Sequence, residues 1–161
     1  MLESLAQTPY AVWVRESLWG WPLSLTVHAF GTAAVLGLAF VIGLRLMGLF
    51  RSITYVALVQ LIPVTWIAVV FQALSGSSLW MTKPHQYVAD VMFLFKISFV
   101  IAGIILTYIF YGALKREAAR WDAEGKVSPF ALRVGALSVL AWCFVTVCGR
   151  LTAYLGSLYT S

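Results

Sequence analysis

Charged residues are scarce in this sequence. Aspartate, glutamate, lysine and arginine make up 11% of its 161 residues, whereas about a quarter of the residues in a typical soluble domain are charged. Hydrophobic residues make up 61%, and a surface this apolar would aggregate in water. The composition therefore excludes an ordinary soluble domain and predicts an integral membrane protein in contact with the lipid bilayer.

Residues and motifs for enzymatic chemistry are also scarce. The two cysteines, Cys143 and Cys148, match neither a CxxC motif nor a zinc site, so we expect them to be small packing residues. The sequence has no Ser-His-Asp set, paired carboxylates, HExxH motif or glycine-rich phosphate loop. Its net charge of +5 comes from residues between apolar runs, which does not favour nucleic acid as a partner. The sequence thus favours an electron-transfer or accessory membrane subunit over a stand-alone enzyme.

Four long apolar runs follow one another along the chain, at about 23–44, 53–74, 87–111 and 130–159. Each has about 20 residues or more, enough to cross a hydrocarbon layer of roughly 30 Å as a helix. Pro63 is expected to kink the second run, and Ser75-Gly76-Ser77-Ser78, a cluster typical of turns, is expected to end it. We predict one all-α membrane domain, a bundle of four transmembrane helices.

The basic residues predict the orientation of this bundle. Seven of them lie in the first and third loops or at their edges, against two on the opposite side, Arg15 and Lys83. Such a bias places the first and third loops in the cytoplasm. In a bacterium the protein would be a multi-pass inner-membrane protein with both termini in the periplasm. The seven residues are Arg45, Arg51, Lys115, Arg116, Arg120, Lys126 and Arg133.

A short helix is predicted at about 9–19, before the first span. Thr8 is a suitable N-cap, and Pro9 suits the first helical position. Aromatic residues, including Tyr10 and Trp13, recur on one face, as in helices that lie at the headgroup level of a membrane. The alternative is a lid over a site between the spans.

Three ionisable residues lie inside the predicted spans: His28, Lys96 and Arg150. All three fall roughly 8–13 Å from the predicted periplasmic side. Such groups are costly in lipid and usually face the bundle interior or mark a functional site. The one nearby acid, Asp90, cannot neutralise two cations. Either a long side chain reaches up to the headgroups, or a bound anion such as a lipid phosphate, a substrate carboxylate or the propionates of a haem completes the site.

His28 has two interpretations. Its helical neighbours, including Gly31 and Thr32, are small or β-branched, which is typical of a tight helix–helix seam with an interhelical hydrogen bond. Alternatively, its imidazole is a ligand to haem iron or copper, with Gly31 leaving room for a flat macrocycle. The second histidine, His85, lies in the second loop and is either solvated or a second ligand. Met81 and Met92 could join the histidines in binding Cu(I).

The sequence resembles a bacterial family of four-span inner-membrane proteins of unknown function over roughly residues 20–115. The resemblance rests on His28-Ala29-Phe30-Gly31, Gly43-Leu44-Arg45-Leu46-Met47-Gly48-Leu49, Leu74-Ser75-Gly76, and Tyr87 with Phe93 and Lys96. Met47 stands where the family usually has leucine. More distantly, a histidine in the first span with a lysine in the third is similar to HemJ-type protoporphyrinogen oxidases and CopD-type copper membrane proteins. The first similarity implies haem near His28 and Lys96; the second implies copper.

These observations lead to three functional hypotheses. The first is a b-type haem that uses His28, Gly31, His85, Lys96 and Arg150 and exchanges electrons with a periplasmic or membrane redox partner. In it, the histidines are the metal ligands and the two cations neutralise the propionates. The second is copper transport or delivery. The third is an accessory subunit without chemistry, working in a larger complex or a homo-oligomer.

Overall fold

The computed structural model describes residues 2–155, and side chains as far as residue 152. The described residues form eight helices and no strand. Four of these stretches are long and apolar enough to cross a membrane, which confirms the predicted all-α four-span bundle. The helices are α1 (Leu2–Ala6), α2 (Pro9–Glu16), α3 (Gly20–Leu46), α4 (Tyr55–Val59), α5 (Leu61–Thr82), α6 (Pro84–Ala89), α7 (Val91–Glu124) and α8 (Pro129–Leu155). The predicted continuation of the fourth span to 159 lies outside the described residues.

The second span ends later than the sequence predicted. Ser75-Gly76-Ser77-Ser78 is not a turn, because α5 continues through it to Thr82. The hydroxyls of Ser75 and Ser78 donate to the carbonyls of Phe71 and Leu74, one turn earlier, at 2.7 and 2.9 Å. Serine that bonds to its own helix in this way is accommodated in a membrane span. The helix is interrupted instead at Gln60, between α4 and α5, where Pro63 cannot donate to the carbonyl one turn before it.

The third span begins and ends later than predicted. Asp90 is the N-cap of α7, and its carboxylate accepts from the backbone N–H of Met92 at 2.8 Å, so Tyr87 belongs to the separate helix α6. At its other end α7 runs to Glu124, beyond the apolar run, because Leu114 and Trp121 continue its buried stripe among charged neighbours. The last turns of α7 are therefore amphipathic rather than uniformly apolar.

The helices pack as two pairs. α3 packs against α5, and α7 packs against α8; α3 also contacts α8, and α4 contacts α7. In the described part of the chain α5 has no comparable contact with α7. Their side chains meet near the beginning of α5, where the hydroxyls of Thr65 and Tyr111 lie 2.8 Å apart. Beyond that point the backbones of α5 and α7 have few close contacts.

The two ends of the bundle differ in composition. We call the end with the chain segments 20–34, 70–82, 91–102 and 144–155 the His28 half, and the other the basic half. The basic half contains the larger buried apolar cluster, which includes Leu58, Leu114 and Trp121. A smaller cluster around Val35 and Trp142 fills the middle. In the His28 half, α7 has no fully buried residue before Gly103.

The predicted N-terminal helix is present as α2. Thr8 caps it by accepting from the N–H of Ala11 at 3.3 Å, and Pro9 is its first residue. Ala11 and Val14 are fully buried because α2 packs on both α3 and α5, whereas Tyr10 and Trp13 are about half exposed. The helix thus covers the end of the α3–α5 seam and turns an aromatic face outward.

Candidate polar site in the His28 half

The imidazole of His28 is held between α3 and α5. Its Nδ1 lies 3.1 Å from the hydroxyl of Ser75, and its Nε2 lies 3.2 Å from the amide nitrogen of Gln72. The ring packs so closely on α5 that a Cβ added to Gly76 would come within 3.2 Å of it. The interhelical hydrogen bond that the sequence suggested for His28 is therefore present.

The surrounding hydrogen bonds indicate the tautomer of this ring. Ser75 donates its hydroxyl proton to the carbonyl of Phe71 at 2.7 Å, so its oxygen is free to accept from Nδ1–H of His28. The amide group of Gln72 donates to the hydroxyl of Thr32 at 2.7 Å, and Thr32 donates to the carbonyl of His28 at 2.9 Å. The second amide proton of Gln72 is then directed at Nε2. This network fits a neutral imidazole with its proton on Nδ1 and its lone pair on Nε2.

The observed position of the Gln72 side chain is energetically costly. Its carbonyl oxygen is buried and has no hydrogen-bond partner among the described residues, and an unpaired buried acceptor typically costs about 1–3 kcal/mol. The oxygen points at Gly31, where an added Cβ would lie 2.6 Å away. The space beside Gly31 is therefore filled by the amide of Gln72, and the room expected there for a macrocycle is not present.

Lys96 approaches the site from the other helix pair. Its side chain runs along α8, where a Cβ added to Gly149 would lie 3.4 Å from Cε and Nζ. The charge lies within electrostatic range of His28 on one side and Cys148 on the other. Lys96 makes no hydrogen bond or ion pair with any described residue, and the nearest acid in sequence, Asp90, is occupied by capping α7. A partly buried cation thus faces a neutral imidazole with no carboxylate between them.

The remaining predicted site residues lie elsewhere on the surface. Arg150 is exposed on α8, in the same half of the bundle. His85 is exposed on α6 and makes no hydrogen bond with His28, so a pair of histidine ligands stays a prediction. In the described part of the chain, no three side chains of histidine, cysteine, aspartate or glutamate gather as a metal site would require. A copper site using Met81 and Met92 also stays a prediction.

Sequence reasoning missed the partners of His28. Gln72 was not considered as a partner of the histidine, and Ser75 was predicted to lie in a turn. The available signal was their spacing, since Gln72, Ser75 and Gly76 lie at i, i+3 and i+4 and so share one helix face. In an otherwise apolar span, such a face is the one expected to contact a polar residue on another helix.

Comparison of the chain with known protein families, with curated proteins and with solved structures finds no match. The resemblance given by the sequence motifs therefore stays a prediction, and the proposals that follow rest on the site itself.

Proposed function

We propose that the His28 half holds a b-type haem and that the protein is an electron-transfer subunit of a membrane. The observation that carries this proposal is an anchored imidazole on one helix pair that lies near a cation on the other, Lys96, which has no carboxylate partner among the described residues. A neutral imidazole nitrogen is a common axial ligand of haem iron, and cations stabilise the carboxylates of its propionates. His28 and Lys96 are of these two types.

The residues of the site could hold a haem if the side chain of Gln72 moves. Nε2 of His28 becomes available when the amide of Gln72 turns away, and the unpaired carbonyl of Gln72 makes its present position a costly one to keep. Because Gly31 is closed by Gln72, a macrocycle would have to enter between α5 and α7, whose backbones have few close contacts there. A single histidine ligand, His28, suffices for this arrangement.

Each residue of the site would then have a defined task. Ser75 accepts from Nδ1–H and so fixes the ring orientation and the tautomer, as partners of ligand histidines generally do. Lys96 supplies positive charge for a propionate, with Arg150 as a second cation in the same half. The surrounding apolar helices limit access of water. The iron, when bound, would accept and donate one electron.

An absorption spectrum tests the proposal. The purified protein, supplied with haem during expression, is expected to show a Soret band and sharpened bands on reduction. His28→Ala should abolish or shift them because the axial ligand is lost. His85→Ala is the matched control: it removes the other histidine, which is exposed on α6, and should leave the spectrum unchanged. A wild-type protein without a Soret band contradicts the proposal, as does a spectrum indifferent to His28→Ala.

One observation favours a second function, that of an accessory subunit without a cofactor. Both ring nitrogens of His28 already have partners on α5, as in a polar seam that holds two helices together. In that case both His28→Ala and Ser75→Ala should weaken the α3–α5 contact, His28→Ala more strongly because it removes both interhelical hydrogen bonds, and neither haem nor copper should be recovered. Metal analysis of protein purified without chelators separates this outcome from copper binding.

We also propose a bacterial inner-membrane location with both termini in the periplasm. The proposal rests on the seven basic residues at one end of the bundle. Reporter fusions at residue 125, between α7 and α8, and at the C-terminus test it, since the first should report the cytoplasm and the second the periplasm. The reverse pattern would place the His28 half on the cytoplasmic side.

A further inference from the structure

A second polar feature lies at the basic end of the bundle, far from His28 along every span. An open cavity of about 480 Å³ lies where α3 and α7 end and α8 begins, and the residues that line it include Arg45, Arg51, Gly48, Tyr55, Gly125 and Leu132. Two of the lining residues are arginines and none is acidic. The lining of this cavity is therefore positively charged, and none of its residues belongs to the proposed haem site.

The position of Arg45 is fixed. Its Nε donates to the carbonyl of Ile53 at 2.6 Å and its Nη1 donates to the hydroxyl of Tyr55 at 3.1 Å. Its guanidinium carbon also lies 4.1 Å from the centroid of the Tyr55 ring. These contacts orient the planar group without neutralising it, and they leave further N–H groups available for a ligand. Such a prearranged guanidinium loses little freedom when it binds an anion.

The acids at this end are all engaged elsewhere. The carboxylate of Asp122 accepts from the backbone N–H groups of Tyr55 and Val56 at 2.8 and 3.0 Å, where it caps α4. Glu117 and Glu124 both pair with Arg120. No described carboxylate pairs with Arg45 or Arg51.

The negative C-terminal end of the helix dipole offsets part of the positive charge of the two arginines, but not all of it. Arg51 donates to the carbonyl of Gly48, just past the end of α3, at 3.1 Å, and cations are favoured at such C-terminal ends. The helix dipole is equivalent to about half a charge and acts over one turn. It cannot compensate two guanidinium groups, so the cavity keeps a positive excess.

We infer that this cavity binds a phosphate group. Arginine forms paired hydrogen bonds with phosphate oxygens, and the two arginines in this cavity match the charge of a phosphate ester. The lining also includes Leu46, Val127 and Leu132, and the cavity lies where the apolar spans end. That position suits an anionic phospholipid, whose phosphate would meet the arginines while its glycerol and first acyl carbons contact the leucines. A soluble phosphate compound would use the same two arginines.

Binding of short-chain phosphatidylglycerol to the purified full-length protein tests the inference. The Arg45→Gln/Arg51→Gln variant is expected to bind it more than tenfold more weakly, because two charged hydrogen-bonding groups are lost. The matched control is Lys115→Gln/Arg116→Gln, which removes the same charge from the same end but from residues that do not line the cavity. This control should change the affinity by less than about twofold. Equal losses in both variants would show that general charge attracts the lipid, and they would overturn the inference.

Three further measurements complete the test. Arg51→Gln alone removes a single backbone contact of an exposed side chain, so it should fold normally and still bind about tenfold more weakly. Orthophosphate as competitor identifies the source. Weak competition indicates a lipid headgroup, and competition at the affinity of the lipid indicates a soluble phosphate compound. Equal binding of short-chain diacylglycerol, which has no phosphate, would contradict the site, as would no binding at all.

Discussion

The basic half and the His28 half of the bundle hold their helices together by different means. In the basic half, buried apolar side chains such as Leu114 and Trp121 fill the space between α4, α7 and α8. In the His28 half, helix contact depends on hydrogen bonds of His28 and on the close approach of α5 at Gly31 and Gly76. In the basic half α4 contacts α7, whereas α5 and α7 make no comparable contact among the described residues of the other half.

We interpret the basic half as the scaffold of the bundle and the His28 half as the location of the proposed haem site. Apolar side chains attract one another little more than they attract lipid, so spans need close packing or polar contacts to associate. The basic half has dense packing, which tolerates little change of shape. Among the described residues, the His28 half has a polar network in which the side-chain oxygen of Gln72 has no hydrogen-bond partner and Lys96 has no carboxylate partner. Such groups can exchange partners, which a ligand site requires and a core does not.

The largest effect is expected in the basic half, from Trp121→Ala. Trp121 is fully buried and its ring packs edge-on against Tyr55 with centroids 5.5 Å apart. Removing a buried tryptophan typically lowers the free energy of unfolding by about 3–5 kcal/mol. Thermal unfolding followed by circular dichroism in detergent measures the change. Tyr108→Ala is the control, because Tyr108 lies on the same helix and is 71% exposed. Similar melting of the two variants would show that the basic half is not the scaffold.

An intermediate effect is expected in the His28 half, from Gly31→Ala. The new Cβ would lie 2.6 Å from the carbonyl oxygen of Gln72 and 3.3 Å from its Cα, so the side chain of Gln72 must move and the backbone of α5 must give slightly. Overpacking of this kind typically costs about 1–3 kcal/mol. It should also displace Gln72 from His28. Gly37→Ala on the same helix meets nothing within 4 Å and should be neutral or slightly stabilising. Unfolding in graded denaturant compares the pair, and equal stability of both variants would mean that the α3–α5 seam is looser than described.

The smallest effect concerns the edge of the His28 half, at Tyr87 on α6. Burial, together with the charge of Asp90, raises the pKa of the Tyr87 hydroxyl above its ordinary value. The neutral phenol is therefore favoured in the folded state, and this contribution to stability is present below about pH 10 and lost as the pH rises through the raised pKa. The difference in tyrosinate absorbance between the wild type and Tyr87→Phe isolates this group. A titration at or below the ordinary value would contradict the burial of Tyr87.

The sequence was sufficient to predict the fold but not the interior of the site. Hydropathy and length identify four spans because the bilayer imposes both. The ends were misplaced where side chains satisfy the backbone in unexpected ways: Ser75 continues a helix that its composition suggested would end, and Asp90 starts one. His28 and Lys96 were identifiable because charge and imidazole are costly in lipid. Their relation to Gln72 was not, since it depends on the rotation of α5 relative to α3, which no local pattern specifies.

The carboxylate of Asp122 has a consequence for the order in which this protein is made. It accepts from the backbone N–H groups of Tyr55 and Val56 at the start of α4. During synthesis these groups have no such acceptor until Asp122 leaves the ribosome, more than sixty residues later. The α3–α5 hairpin can form as soon as its own residues are inserted, since its hydrogen bonds are internal to it. We therefore expect the α3–α5 hairpin with His28 to assemble first during translation. The basic end should assemble later, when the end of α7 packs over the start of the second span.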